Sequence, residues 1–223
     1  MAVYINTKTL AYPVSESDIR AQFPLTSFGD AFVAPEPFEV VFPVPAPSVN
    51  RLQLAVEGAP TKTSLGTWQQ TWSVVDRFAD VLDASGNVVT TKAAQETAEL
   101  ERAKGELKVA ATSQRWTVQT GGLTLPDGTK VLTADADLTR IDQAINNLTR
   151  YGIASIDFKS AGGWVTLTLD QLNAIGHAVT TFVQGCFTAE RAHHAAIDAL
   201  ADTLDAIDGY SVTANWPSNV LTA

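Results

Sequence analysis

The stretch that decides the fold runs from Leu172 to Ile207 and reads LNAIGHAVTTFVQGCFTAERAHHAAIDALADTLDAI. Its apolar positions recur mostly at alternating spacings of three and four residues, the period of one face of an α-helix. We therefore predict a long helix that Asp170 caps and that continues to about Ile207. Such a seam is typical of a coiled coil or a bundle helix, and we assign it to self-association. The seam consists of Leu172, Ile175, Val179, Phe182, Cys186, His193, Ile197, Leu200, Leu204 and Ile207.

The same stretch holds the single cysteine of the chain, Cys186, and two of its three histidines, His193 and His194. Metal ligands must converge within about 2.0–2.3 Å of one ion. Cys186 and His193 are separated by about 10.5 Å along a helix, and no histidine pair stands at i,i+4. A cysteine nucleophile would need a nearby base and an electropositive setting. We predict no metal site within the chain, no catalytic cysteine and no cofactor.

A histidine site between copies of the chain stays open. One His193 from each of several helices could meet on a symmetry axis. Self-association would then weaken below about pH 6.5, where the imidazoles become charged and repel one another.

Other patterns also argue against an enzyme. Residues 134–139 read ADADLT, but they lack the further oxygen ligands and the distal glutamate of a calcium loop, so helix capping is the preferred interpretation. The glycine pairs at 121–122 and 162–163 are not followed by Lys-Ser or Lys-Thr, and we interpret them as turns. We predict that the chain is not an enzyme.

Residues 1–88 form a proline-rich, irregular β module in our interpretation. The cluster APEPFEVVFPVPAPS at 34–48 cannot be a helix or a central strand, because proline fixes φ and lacks a backbone donor. Short β-like runs lie within and around it, at 3–5, 38–42, 51–56 and 67–75. The aromatic residues of this module are candidates for a docking surface or a small core, with a ligand platform as the alternative. They are Phe28, Phe32, Phe38, Trp68 and Trp72.

The remainder of the chain predicts an α+β fold. A connector helix is expected over 89–113, followed by a C-terminal α+β domain over 114–223. The segment 115–133 is expected to form a strand, a turn and a strand, and a second hairpin turns at Ala161-Gly162-Gly163. A helix that stops at Gly152 lies between the two hairpins, and the long helix follows the second.

Composition narrows the possible partners. The chain carries 15 basic and 24 acidic residues, a net charge of −9, and lacks the cationic face that nucleic acid requires. Its N-terminus lacks the apolar core of a signal peptide, and no apolar run approaches the roughly 20 residues that span a bilayer. We therefore expect no nucleic-acid binding, no membrane insertion and synthesis in a cytoplasm.

Several segments carry a family resemblance. In the C-terminal half they read RWTVQTGGLTLPDGTKVLTADADLTRI, DFKSAGGWVTLTLDQLNAI and AVTTFVQGCFTAE. Together, over about residues 113–207, they resemble a C-terminal domain of unknown function found in tailed-phage and prophage tail proteins. Upstream, FPLTSFGDAF and GTWQQTWSVVDR are similar to N-terminal segments of tail-fibre assembly or tail proteins.

The resemblance implies a phage context and no known catalytic residues. Our leading hypothesis is a structural component of a bacteriophage tail, at the baseplate or tail fibre, located in the virion. It would dock onto other tail or tail-fibre proteins and form a homo-oligomer such as a trimer. Two alternatives stay open: a tail-fibre assembly chaperone, and a receptor- or glycan-binding module that uses the N-terminal aromatic residues.

Overall fold

A computed structural model describes residues 2–29, 31–160 and 162–221, with Ser160 described in its backbone only. The predicted α+β class is confirmed. The chain divides into two compact units, residues 1–99 and 100–223. None of the described helices combines the length and the apolar composition needed to span a bilayer. Ala161, which we placed in a hairpin turn, lies outside the described residues, as do the last two residues of the chain.

The N-terminal unit is built on a four-stranded sheet with the order β1-β2-β4-β3. The prediction that residues 34–48 hold no central strand is wrong, because the strand at 38–42 pairs with a neighbour on each side. Pro37 and Pro43 flank this strand, so no proline removes a donor within it. A small core forms where Ile19 of the first helix packs against Tyr4, Val14 and Phe38. A two-stranded hairpin, β5–β6, follows the sheet. The elements are β1 (Val3–Asn6), α1 (Glu16–Gln22), β2 (Phe38–Phe42), β3 (Gln53–Lys62), β4 (Trp68–Asp76), β5 (Val81–Leu82) and β6 (Val88–Thr90).

The proline-rich segment after β2 is held by side chains rather than by a strand ladder. The parallel pairing of β2 with β4 ends at Phe42 and Gln69, and the next residue is Pro43, which has no N–H to donate. The backbone N–H of Val44 instead donates to Oε1 of Gln70 at 3.1 Å. The indole N–H of Trp72 donates to the Val44 carbonyl at 2.8 Å. Two β4 side chains thus replace the backbone hydrogen bonds that the prolines remove.

Helix α2 (Lys92–Thr120) crosses the boundary between the units and is longer than the sequence predicts. The predicted strand after Ser113 is wrong, because the chain stays helical and buries Ala111 and Gln119. Tertiary burial here outweighs the β propensity of the run Trp-Thr-Val. The helix ends before Gly122, whose φ of +87° is a left-handed conformation that favours glycine.

The C-terminal unit packs two short hairpins against two helices. Its main core joins Leu123 and Val131 of the first hairpin to α3 and α4. Helix α3 stops at Gly152, as predicted, in a left-handed conformation. The elements are β7 (Leu123–Thr124), β8 (Lys130–Val131), α3 (Asp135–Tyr151), β9 (Ser155–Ser160), β10 (Gly163–Thr168), α4 (Leu169–Asp198) and α5 (Leu204–Asp208).

The long helix is shorter than predicted and has a different cap. Helix α4 ends at Asp198, and Thr203 caps the separate short helix α5. The step from position 193 to 197, which interrupts the alternation of three and four residues, lies within α4, and the chain leaves the helix only after Asp198. At the other end Thr168, not Asp170, is the N-cap and forms a reciprocal capping box with Gln171.

Removal of this capping box tests the start of α4. We expect Thr168→Ala to lower the free energy of unfolding of the C-terminal unit by about 1 kcal/mol, because an N–H in the first turn loses its acceptor. Denaturant unfolding of the full chain measures the change. Thr188→Ala is the control, since that exposed hydroxyl donates only to the Gln184 carbonyl of its own helix. Equal losses in both variants would contradict the capping role.

Candidate functional site

The predicted self-association seam is the face by which the helical region packs within its own chain. Six of its α4 members are at most 4% exposed: Leu172, Val179, Phe182, Cys186, His193 and Ile197. They lie against the other elements of the C-terminal unit, whereas Leu200, Leu204 and Ile207 pack on Leu100 and Ala103 of α2. Side chains enclosed in this way cannot meet a second copy unless the core opens. The assignment to self-association is therefore corrected, because periodicity shows that a face is apolar but not what covers it.

His193 is bound by the C-terminal segment of the same chain. Its Nε2 lies 2.9 Å from the carbonyl oxygen of Ala214, which can only accept a hydrogen bond. The proton of the neutral ring is therefore on Nε2, and Nδ1 accepts from the Tyr210 hydroxyl at 2.8 Å. A tyrosine phenol is protonated at neutral pH and can donate, and burial raises the pKa of Tyr210 further. The Trp216 ring stacks on the imidazole at 4.9 Å between centroids.

This arrangement fastens residues 210–216 onto α4. It also removes the basis for a histidine site between copies, since both ring nitrogens of His193 already have partners within the chain. The sequence marks Trp216 as an aromatic anchor of the segment after α5, but it does not show that this anchor and Tyr210 meet His193.

Cys186 is completely buried, and this burial raises the pKa of its thiol. A neutral, enclosed thiol is a poor nucleophile and a poor metal ligand. In the part of the chain that the structure describes, no group of three or more His, Cys, Asp or Glu residues is arranged to hold a metal ion. Cys186 is therefore a packing residue of the core.

An ion pair that the sequence analysis missed joins α2 to α4. Nε of Arg115 lies 2.7 Å from a carboxylate oxygen of Glu190, at an angle that does not make a well-aligned hydrogen bond. Both side chains are largely buried, and the Arg115 guanidinium also lies 4.4 Å from the centre of the Phe187 ring. The Thr112 hydroxyl donates to the same carboxylate. The group holds two helices together and offers no free charge for chemistry.

The five predicted docking aromatics do not form one platform. Phe38 lies on the face of the sheet that α1 covers, and its side chain is buried in the core. Trp68 lies beside Val41, and residues 38 and 41 of one strand point to opposite faces. Phe28 and Phe32 flank the Arg20 guanidinium at 4.8 and 4.9 Å. All five are buried or half-buried, so they serve local packing.

The open apolar surface of the N-terminal unit lies elsewhere on the sheet. We define the outer sheet face as five side chains that are each 40–50% exposed: Val40, Phe42, Leu54, Val56 and Val75. The register puts them on one side, because Leu54 stands opposite Val75 and Phe42 lies beside Gln69 of the same β4 face. Helix α1 covers this side at β1 and leaves it open towards β3.

Exposed apolar side chains are concentrated in the N-terminal unit as a whole. Among the described residues, 15 large exposed apolar side chains lie in residues 1–99 and 8 lie in residues 100–223. The C-terminal unit covers its apolar side chains more completely although the two units are of similar size. The N-terminal unit is therefore the stronger candidate for burying surface against a partner.

The C-terminal unit contains a cavity of about 390 Å³. Helices α3 and α4 and the hairpins β7–β8 and β9–β10 surround it. Its floor includes the buried side chains of Val131, Ile141 and Leu172. The walls of this cavity come from four elements that are separate in the chain, so no pattern within one segment of the sequence predicts it.

Comparison with known proteins assigns no chemistry to these features. Residues 102–211 are similar to a domain of unknown function, DUF4376, a match of 110 of the 223 residues. The matched range begins inside α2 and ends just after α5, so it lies within the C-terminal unit. No curated protein and no solved structure matches the chain.

Substitution of His193 tests its role as the fastening point of the C-terminal segment. We expect His193→Ala to lower the free energy of unfolding by about 2–4 kcal/mol, because a cavity forms and two polar groups lose their partner. Amide hydrogen exchange should accelerate in residues 210–216. The exposed His177 of the same helix supplies the control, since His177→Ala should change stability by no more than about 0.5 kcal/mol. Unchanged exchange in 210–216 would show that the contacts at His193 do not hold the segment.

Proposed function

We propose that this protein is a structural component of a bacteriophage tail that docks onto another tail protein through its outer sheet face. The observation that carries the proposal is the open apolar side of the sheet formed by β2, β4 and β3. The phage context rests on the resemblance of residues 113–207 to a domain of tail proteins. A docking role agrees with an N-terminal unit that has a small core and many exposed apolar side chains.

The size of the outer sheet face sets the strength expected of the contact. Complete burial of one large apolar side chain contributes about 1.5–3 kcal/mol, and half of this remains available in a half-exposed side chain. Five such residues supply about 4–7 kcal/mol, whereas association itself costs about 4–15 kcal/mol. The face alone therefore supports a weak contact. We expect stable docking only within an assembly, where further contacts, such as those of the exposed β5–β6 hairpin, add to it.

The two alternatives receive less support. A glycan platform would use the open faces of Trp68 and Trp72, but both are half-buried and the Trp72 indole N–H already donates to Val44. A tail-fibre assembly chaperone would also need an apolar docking face, and it differs from a structural component in leaving the particle.

Self-association of the chain would need a surface other than the α4 seam. Light scattering of the purified protein measures its oligomeric state.

Mass spectrometry of purified virions tests the structural role. We expect the chain in mature particles at a constant copy number relative to the other tail proteins. Its absence from mature particles, together with its presence in assembly intermediates, would overturn the structural role in favour of the chaperone.

A triple substitution tests the docking face itself. Leu54→Thr, Val56→Thr and Val75→Thr together keep residues that favour strands but remove the apolar character of the face. We expect incorporation into particles to fall by about 100-fold, since three contacts of the interface would each lose about 1 kcal/mol and about 1.4 kcal/mol corresponds to a factor of ten. The control is Val109→Thr, which changes an exposed side chain on α2. Incorporation that falls equally in the control would place the docking surface elsewhere.

A further inference from the structure

The cavity of the C-terminal unit has the size and lining of a small-molecule site. Its volume of about 390 Å³ lies within the range of about 300–1,000 Å³ that is typical of ligand pockets. Beside the buried floor, Phe158 and Val165 stand opposite each other in the β9–β10 hairpin and line the wall. An apolar group that enters the cavity would be shielded from water on several sides, and this burial of apolar surface would favour binding.

The rim of this cavity carries four charged residues, and three of them have partners. Asp137 and Arg140 lie 3.4 Å apart and neutralise each other. Asp127 accepts the backbone N–H of Thr129 at 2.8 Å, a bond that lowers the pKa of this carboxyl. Asp137 is therefore paired with a cation, whereas Asp127 is held by a neutral donor and keeps its negative charge.

Lys159 is the rim cation without a carboxylate partner. Across residues 2–29, 31–160 and 162–221, no carboxylate oxygen lies within 4 Å of its amine. The Lys159 amine lies 5.8 Å from the centre of the Trp164 ring. Trp164 stands directly opposite Lys159 and is 72% exposed, so both side chains lie on the face of the hairpin opposite to Phe158 and Val165. The long Lys159 side chain must therefore extend around the edge of the hairpin to meet a ligand at the mouth of the cavity. Lys159 is therefore the rim cation that is available to pair with an anionic group of a ligand.

We propose that this cavity binds a small ligand with an apolar body and a carboxylate, the carboxylate pairing with Lys159. The apolar body would lie on the floor formed by Val131, Ile141 and Leu172. The amine of Lys159 would donate a charge-assisted hydrogen bond to the carboxylate. The proposal does not depend on the phage-tail role, and its failure would leave that role unaffected.

Binding of a matched pair of probes to the full chain tests the ligand chemistry. The probes are 3-phenylpropionate and its neutral amide, titrated by calorimetry or by chemical-shift changes in NMR spectra. We expect saturable binding of the acid with a dissociation constant of about 1 mM or lower, and binding of the amide at least about 10-fold weaker. Absence of saturable binding of the acid, or equal affinities for both probes, would overturn the proposal.

Substitutions at two positions, Lys159 and Ala174, locate the site. Lys159→Gln should weaken binding of the acid about 10-fold and leave binding of the amide unchanged, because only the charge is removed. Lys130→Gln is the matched control, since Lys130 is exposed and lies outside the cavity lining. Ala174→Phe should weaken both probes by filling the cavity. An equal effect of the two lysine variants would overturn the assignment of Lys159. Because Lys159 is exposed, this comparison does not depend on whether the Ala174 variant folds.

The same chemistry has a second source, the C-terminal residue of a peptide. The tripeptide Gly-Gly-Phe with a free carboxylate distinguishes the sources. Binding at least about 10-fold tighter than that of 3-phenylpropionate would assign the site to a chain terminus. Equal or weaker binding would assign it to a free small acid, and both results support a carboxylate ligand.

Discussion

The burial of one apolar stripe of α4 is the interaction on which the C-terminal unit depends. Val179, Phe182 and Cys186 of this stripe form the main core together with α3 and the β7–β8 hairpin. Towards the end of the helix, the same stripe presents His193 to the C-terminal segment. Helix α4 thus contributes to the main core, holds the C-terminal segment and lines the cavity, and it does so through different parts of its length.

The N-terminal unit is organised by a different constraint, the supply of backbone hydrogen-bond donors. Proline removes them after Phe42, and the side chains of Gln70 and Trp72 supply what the sheet loses. The sheet therefore stays narrow, and much of its apolar surface remains uncovered. A unit built in this way gains stability when another surface covers it, whereas the C-terminal unit already covers its own core.

Local signals in the sequence were sufficient for much of the secondary structure. The stop of α3 at Gly152 and the β2 strand at 38–42 both follow from the preferences of the residues themselves. The extension of α2 to Thr120 and the break after Asp198 did not follow, since both are decided by what the chain buries at those points. The candidate site was less predictable still. The five aromatic residues were predicted as one docking group, but the strand register places Phe38 and Trp68 on opposite faces of the sheet.

The sequence by itself determined that one face of residues 172–197 is apolar and helical, and that Cys186 and His193 lie too far apart to share a ligand. Only the tertiary structure decided what meets that face. Periodicity records where apolar side chains point along a helix, but an intrachain core and an interface between copies require the same pattern. The partners of His193 come from residues 210 and 214, and the floor of the cavity combines α3, α4 and a hairpin. Contacts between segments that are distant in the chain arise from folding, and the spacing within any one segment does not specify them.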